Sequence, residues 1–286
     1  LTTRPFDTGG LVSGLRRSVT LAEGGQFGRM SRASRSAERV ALFVALPRSG
    51  TTLLEQMLDR HPLVRGVGEP TGVQRLLHAV TALRSWPDGL LSATVSAIDA
   101  MQADYMATLR VGGPTANGTF LVDKSLQTWM ALPAIAAALP GATLLRMRRD
   151  PRDMAISMLL SPMHPMTMGW TGSLESIRRV VETERDAVPR LLSALGLRAI
   201  DVVYERLVDE PRLVLEAVLA HCGLSFDERC LAPEANRRAV LTLSQEQVRR
   251  PVNRESIGRW RNYAEHFGPE WQALAEADAL TTRPTS

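Results

Sequence analysis

The strongest constraint on the fold is an abrupt change of pattern between residues 39 and 62. A continuous apolar run, RVALFVAL, stops at Pro47; the short polar loop PRSGTT follows, and then the amphipathic stretch LLEQMLDRHP. A short apolar run bounded by turn residues is typical of a buried strand, whereas the later spacing of apolar residues is typical of a helix. The sequence therefore predicts a strand, a tight loop and a helix, and the free amides at such a helix start favour an anion.

Three further segments have the composition of core strands, namely TFLVDK at 119–124, ATLLRMR at 142–148 and AIDVVYE at 199–205. Helical patterns follow the strands at 51–60, 72–84, 91–109, 128–138, 150–160, 174–195, 211–221 and 267–279. Strands that alternate with helices pair in parallel through right-handed crossovers. We therefore predict an α/β fold, a three-layer sandwich with a central parallel sheet and a P-loop-like strand–loop–helix.

The first 38 residues differ from the rest of the chain. They are rich in Gly, Ser, Thr and Arg, and we interpret them as a partly ordered arm or a partly helical lead-in. Residues 39–286 have an ordinary globular composition and a length that one α/β domain can accommodate.

Composition excludes several classes of protein. The net charge is only +4, and the basic residues are 33 arginines and one lysine without a basic block, so we expect no nucleic-acid partner. The sequence has neither an apolar span of about 20 residues nor the apolar core of a signal peptide, so we expect a cytoplasmic protein without a transmembrane segment. Cys222, Cys230 and the scattered histidines lack ligand spacing, which predicts reduced thiols and no metal site.

The loop at 47–52 has the groups that an anion of phosphate size requires. Gly50 permits close approach of the backbone, and Arg48 supplies a permanent cation. Ser49, Thr51 and Thr52 add hydroxyl donors. A nucleoside-triphosphate loop requires G-x-x-x-x-G-K-[ST], and here no lysine follows the glycine, which counts against a kinase.

The loop alone leaves three alternatives open. One is an enzyme that uses a different activated nucleotide, the second is a nucleotide-dependent small-molecule kinase, and the third is a non-catalytic nucleotide-binding protein. Because ligands of parallel α/β sheets bind at the carboxyl ends of the strands, the decisive residues should follow Leu46, Lys124, Arg148 and Glu205.

Six segments in order resemble the sulfotransferases that use 3′-phosphoadenosine 5′-phosphosulfate (PAPS), in particular bacterial members related to tyrosylprotein sulfotransferases. The segments are PRSGTTLLEQMLDRHP, GVGEPT, FLVDKSLQ, LLRMRRDPRDMAISM, VYERLVDEPRLVLEAVLAHCGLSFD and SQEQVRRPVNRESIGRWRNY. They extend from about Val40 to Tyr263. The resemblance implies a PAPS co-substrate, no metal, and transfer of a sulfonyl group to an acceptor hydroxyl.

The resemblance also implies roles for individual residues. Glu69 matches the general base, while Lys124, Ser244 and Arg48 match groups that stabilise the transition state. Residues that match the nucleotide-binding positions are Arg48, Ser49, Gly50, Thr51, Thr52, Arg149, Ser157, Tyr204, Ser244, Gln247, Arg250, Asn253 and Arg259. Ser161 replaces an arginine of the relatives, so this phosphate contact is either weaker or comes from another residue, for which Arg148 and Arg152 are the two candidates. For Trp260 we favour a packing role over that of a lid residue.

The acceptor is a hydroxyl-bearing small molecule, glycan, lipid or peptide if the resemblance holds. The segments expected to line its side of the site are 70–104 and 161–175. The second contains SPMHPMTMGW, whose methionines favour a soft apolar wall. This composition fits either an acceptor with apolar character or a loop that closes on the core.

Overall fold

A computed structural model describes residues 7–110, 118–236 and 252–281, and the side chains of these ranges as far as residue 277. The described residues form one five-stranded sheet in the order β2-β3-β1-β4-β5, and every pairing in it is parallel. The strands are β1 (Val40–Val44), β2 (Val64–Gly68), β3 (Phe120–Asp123), β4 (Thr143–Arg148) and β5 (Ala199–Val203). The predicted α/β fold with a central parallel sheet is confirmed.

Helices cover both faces of this sheet. They are α1 (Thr8–Glu23), α2 (Thr51–Leu58), α3 (Gly72–Leu83), α4 (Val95–Leu109), α5 (Leu132–Ala138), α6 (Pro151–Leu159), α7 (Pro165–Met168), α8 (Leu174–Ala194), α9 (Tyr204–Asp209), α10 (Pro211–His221) and α11 (Pro269–Thr281). Side chains alternate along β1, so that Leu42 packs among α1, α3, α4, α5 and α8 while Phe43 packs among α2, α9 and α10. These two apolar clusters define the three layers.

Strand β2 is an element that the sequence did not predict, since its residues, VRGVG, were assigned to neither a strand nor a helix. Its two glycines and its arginine give no strand pattern, and contacts from elsewhere in the chain support it. The Gly66 amide donates to Asp59 Oδ1 at 2.6 Å, and the Gly68 amide donates to Glu55 Oε1 at 2.8 Å. A register shift against β3 lies between the glycines, where Gly68 has a φ of 73°. Within β2, only Gly68 at this register shift has a backbone conformation that favours glycine.

The N-terminal segment contains a packed helix. Asp7 caps α1 through the Gly10 amide at 2.8 Å, and the buried residues Val12, Leu15 and Val19 contribute to its apolar face. Arg190 on α8 forms an ion pair with Glu23 at the end of α1. Helix α1 therefore covers the sheet with the other helices, and a domain boundary at residue 38 stays a prediction.

The predicted helix at 91–109 is shorter than expected. A 3-10 turn occupies Asp88–Ser92, and α4 begins only after Thr94, whose hydroxyl accepts the Ala97 amide at 3.2 Å. Among the helices of the described ranges, none has the combination of length and apolar character that spans a bilayer.

Candidate functional site

The loop between β1 and α2 adopts a backbone conformation that few residues tolerate. Gly50 precedes α2 with a φ of 98°, and a Cβ at this position would lie 2.3 Å from Cδ2 of Tyr204. Arg48 is the one non-glycine residue with positive φ, at 66°, among the described residues. Gly50 is required by its conformation and by the tyrosine ring, and such strain concentrates at ligand sites.

Ser49 helps to shape this loop. Its hydroxyl donates to the Leu46 carbonyl at 2.8 Å, and its side chain is buried. Thr51 and Thr52 are likewise buried at the first turn of α2. The hydroxyl of Ser49 therefore stabilises the turn, while the start of α2 supplies the amides of an anion receptor.

Arg48, Arg149 and Ser157 form one hydrogen-bonded cluster. Arg48 Nε donates to Ser157 Oγ at 2.8 Å, and Arg149 Nη1 donates to the Arg48 carbonyl at 2.9 Å. The Arg149 guanidinium lies 4.4 Å from the centre of the Tyr204 ring, and its second terminal nitrogen donates to the Ser256 carbonyl. The structure thus brings together three of the residues that the sequence analysis predicted to bind a nucleotide.

Positive charge is concentrated at this cluster. Burial, followed by the charges of Arg149 and Arg259, lowers the pKa of the Arg48 guanidinium. Arg149 is 7% exposed, whereas Arg259 is exposed at the start of the 3-10 helix Arg259–His266. A bound anion would relieve the mutual repulsion of these cations.

Glu69 and Lys124 form an ion pair at the ends of β2 and β3. Lys124 Nζ lies 2.5 Å from Glu69 Oε1, and the lysine side chain is 1% exposed whereas that of the glutamate is 40% exposed. Both residues follow the last residue of a strand, so they lie on the same edge of the sheet as the loop after β1. The carboxylate of Glu69, which is open to solvent, can accept a proton. The buried ammonium of Lys124 beside it can stabilise a negative oxygen.

A segment near the C-terminus packs on α6 close to the cluster. Asp153 on α6 accepts the amides of Gly258 at 2.6 Å and Trp260 at 2.9 Å. The Arg152 guanidinium lies 3.6 Å from the centre of the Trp260 ring. Trp260 therefore packs on α6, as the sequence analysis favoured. Asn253 is exposed and accepts the Glu255 amide at 3.1 Å.

Part of the predicted site lies outside the described residues, namely Ser244, Gln247 and Arg250. Ser161 follows the end of α6, and its hydroxyl donates to the Ser157 carbonyl at 2.6 Å. The guanidinium of Arg152 is held by Asp150 at 2.7 Å, and that of Arg148 lies 3.6 Å from Asp201. The two arginines expected to replace the relatives' arginine therefore have acidic partners of their own.

The sequence analysis missed a buried polar network beneath the ion pair. Tyr105 on α4 donates to Asp123 Oδ2 at 2.7 Å, and the Ser125 amide donates to Asp123 Oδ1 at 2.7 Å. Burial raises the pKa of Asp123 to about 6, and burial together with the adjacent Asp123 carboxylate raises the pKa of the Tyr105 hydroxyl. The only sequence signal was a carboxylate next to Lys124 in an otherwise apolar strand.

Within the described ranges, no group of three or more His, Cys, Asp or Glu side chains is arranged to hold a metal ion. Cys222 and Cys230 are free thiols, and burial raises the pKa of each, that of Cys230 to about 11. Neither thiol contributes to the cluster around Arg48.

The fold defines an α/β protein with a P-loop-like strand–loop–helix at the carboxyl edge of a parallel sheet. The sequence model of the sulfotransferase family matches residues 42–228, which include the loop, both strand-end residues and α6. The chain belongs to the sulfotransferase family.

Individual relatives agree with this assignment. Protein-tyrosine sulfotransferase 2 of Gallus gallus is 27% identical over 243 residues, covering 79% of this chain and 64% of the relative. The sulfotransferase domain of the Synechococcus PCC 7002 olefin synthase has a similar fold, with a TM-score of 0.59, 21% identity, and coverage of 88% of this chain and 98% of that domain. The matched region of the chain spans 33%, 64% and 63% of the length of three of its curated relatives.

A mouse sulfotransferase, SULT7A1, also has a similar fold, and its crystal structure is that of a complex with PAP, 3′-phosphoadenosine 5′-phosphate. Its TM-score is 0.50 at 15% identity, with coverage of 89% of this chain and 86% of that one.

Proposed function

We propose that the protein transfers a sulfonyl group from PAPS to the hydroxyl of an acceptor, without a metal ion. The observation that carries the proposal is the cluster of Arg48, Arg149 and Ser157 on the same sheet edge as the Glu69–Lys124 ion pair. The first group offers two guanidinium ions to an anionic nucleotide. The second offers a base and a cation to the reacting atoms.

The nucleotide would bridge the loop and α6. Its 5′-phosphosulfate would bind the amides at the start of α2 together with Arg48, and its 3′-phosphate would bind Arg149 and Ser157. Arg48 Nε donates to Ser157 Oγ at 2.8 Å, so the two proposed phosphate positions would lie next to each other. The PAP complex of the mouse sulfotransferase, which has a similar fold, supports this class of ligand.

The reaction is an in-line displacement at sulfur. The acceptor oxygen forms a bond to sulfur while Glu69 takes its proton, and the bond between sulfur and the bridging phosphate oxygen breaks. The electron pair of that bond stays on the bridging oxygen, where Lys124 would stabilise the developing negative charge. The products are a sulfated acceptor and PAP.

The acceptor is a hydroxyl compound, and the surface after α6 favours an apolar carrier of that hydroxyl. Leu160 is 61% exposed and Met166 is 66% exposed on this segment. Flexible methionine side chains adapt to apolar surfaces of varied shape. The similarity to a protein-tyrosine sulfotransferase makes a tyrosine phenol one acceptor to include in the tests.

Calorimetry with PAP and with ATP–Mg²⁺ tests the donor. We expect PAP to bind and Arg149→Gln to weaken its binding, whereas the matched control Arg212→Gln should not, because Arg212 is an exposed arginine paired with Glu228. Binding of ATP–Mg²⁺ alone would contradict the proposal in favour of a kinase.

Transfer is tested by incubation with PAPS and a panel of phenols, sugars, lipids and tyrosine peptides. Mass spectrometry should find a product heavier by one SO₃, and formation of this product should depend on Glu69 and Lys124. Binding of PAP without a sulfated product from any acceptor class would favour a non-catalytic nucleotide-binding protein.

A further inference from the structure

Two buried carboxylates lie beneath the Glu69–Lys124 ion pair, and the proposed reaction uses neither. Asp123 has no exposed surface and Glu55 is 1% exposed. The two hydrogen bonds to Asp123 come from neutral donors, the Tyr105 hydroxyl and the Ser125 amide. A buried carboxylate is costly without full pairing, so its presence here calls for a reason.

The strand ends on either side of the ion pair are tied at two points. On one side of Glu69, the Lys124 amide donates to the Gly68 carbonyl at 2.8 Å. On the other side, Ser125 Oγ donates to the Pro70 carbonyl at 2.9 Å. The residues on both sides of Glu69 are therefore hydrogen-bonded to Lys124 and Ser125.

The carboxylates anchor both of these ties. Glu55 Oε1 accepts the Gly68 amide at 2.8 Å and so holds the turn that carries Glu69. Asp123 accepts the Ser125 amide and so holds the turn that carries Lys124, while its second oxygen is fixed by Tyr105 from α4. Loss of either anchor would free one partner of the ion pair.

We propose that Asp123, oriented by Tyr105, is a positioning residue that sets the geometry of the Glu69–Lys124 pair. Its ionised form has the acceptors that both donors need, whereas protonation converts one oxygen into a hydroxyl. The pair therefore loosens when Asp123 is protonated. This inference rests on the proposed function only for its effect on turnover, since the geometry of the pair exists without substrate.

Titration separates positioning from a merely structural role. Burial raises the pKa of Asp123 to about 6; the hydrogen bonds from Ser125 and Tyr105 lower it, and the negative charge of Glu55 on α2 raises it. The other charged groups at this strand end are Lys124 and Glu69 themselves. Tyr105→Phe removes one stabilising hydrogen bond without removing the aromatic ring, so it should raise the titration midpoint by about 0.5–1 pH unit.

Lys124 provides the spectroscopic probe, because it is the only lysine of the chain. Lysine labelled with ¹³C at Cε gives a single signal whose position reports the surroundings of the ammonium. The experiment uses the Glu69→Gln variant, in which the ion-pair partner of Lys124 no longer titrates. In this variant the Lys124 signal should still shift with pH, with a midpoint near pH 6. Adding Tyr105→Phe should raise the midpoint, and adding Asp123→Asn should abolish the step.

The matched control is Thr183→Val, which removes a buried hydroxyl that donates to the Arg179 carbonyl on α8. It should leave the lysine titration unchanged. A midpoint that Tyr105→Phe does not move, or a step that survives Asp123→Asn, would overturn the proposal. This measurement needs no substrate, so it decides the positioning role even if no sulfonyl transfer is found.

Enzyme kinetics provide a second test of the positioning role of Asp123. If Tyr105→Phe raises the midpoint from about 6 to about 7, kcat at pH 6 should fall about fivefold relative to wild type, with an unchanged Kd for PAP. Asp123→Ala should lower kcat at neutral pH, and Asp123→Asn, a neutral mimic of the protonated side chain, should keep kcat at the low value that wild type has below pH 6. Equal kcat in Asp123→Ala and wild type would also overturn the proposal.

Discussion

Replacing Asp123 by asparagine should stabilise the folded protein at neutral pH. Burial raises the pKa of this carboxyl from 3.8 to about 6, and it is fully buried, so solvent screens little of the effect. A shift of about 2 pH units corresponds to roughly 3 kcal/mol of unfolding free energy that is lost when the group is ionised. Asparagine carries no charge, and its oxygen can accept the Ser125 amide while its amino group donates to Tyr105. We expect a net gain of about 1–3 kcal/mol.

The sign of the pH dependence follows from the direction of the shift. Because the raised pKa belongs to the folded state, the contribution of Asp123 to stability is fully present below the unfolded value of 3.8 and is lost as the pH rises through about 6. The asparagine variant has no such loss. The difference in stability between the two proteins should be largest above pH 6 and should vanish towards pH 4.

Urea unfolding followed by circular dichroism measures this difference at about pH 7.5 and about pH 4.5, with the slope m checked for constancy. The same pair of measurements on Thr183→Val gives the effect of losing a buried hydroxyl without a titrating group. An Asp123→Asn protein that is no more stable than wild type at the higher pH, or whose advantage is independent of pH, would refute the reasoning.

Four further substitutions test the loop and the proposed binding and catalytic groups. Gly50→Ala should cost about 1–3 kcal/mol of stability and abolish PAP binding, since φ is unfavourable and the new methyl meets Tyr204; urea unfolding and calorimetry measure the two effects. Glu69→Gln and Lys124→Ala should each lower kcat about 10²-fold with PAP binding retained, and unchanged turnover in either would remove its role. Arg149→Lys should weaken PAP binding about tenfold, because lysine cannot donate to two carbonyls while stacked on Tyr204.

The sequence predicted the parts of the fold that depend on local pattern. The strand at 40–44 is an uninterrupted apolar run, the strand at 143–148 is a mainly apolar run with two arginines, and α6 begins with a proline after a capping aspartate. Strand β2 lacks such a pattern because its stability comes from Glu55, Asp59 and the register of β3, which are contacts between distant residues. The extent to which α1 packs into the core was likewise hidden, because glycine and serine interrupt its apolar face.

The site likewise has residues that a local sequence pattern predicts and residues that only contacts between distant parts of the chain reveal. The loop around Gly50 follows from the strand–loop–helix pattern, while the roles of Glu69 and Lys124 were predicted only through the family resemblance. No pattern in the sequence connects Tyr105 with Asp123, since their contact depends on how α4 packs beside β3. Residues that act through a neighbour become visible only when the distances are known.

The choice of cation at each position follows the geometry of the charge it would meet. Arg149 donates to two carbonyl groups while its plane lies over Tyr204, an arrangement that suits a fixed phosphate with several oxygens. Lys124 is buried to 1% exposure with a single carboxylate oxygen at 2.5 Å, where the five donors of an arginine would need more acceptors than the two carboxylate oxygens of Glu69. The ammonium is a compact charge that can move from that oxygen to a bridging oxygen during transfer. The single lysine in a chain with 33 arginines thus lies where the proposed reaction moves negative charge from one oxygen to another. Arg149 lies where the negative charge of a bound phosphate would stay fixed.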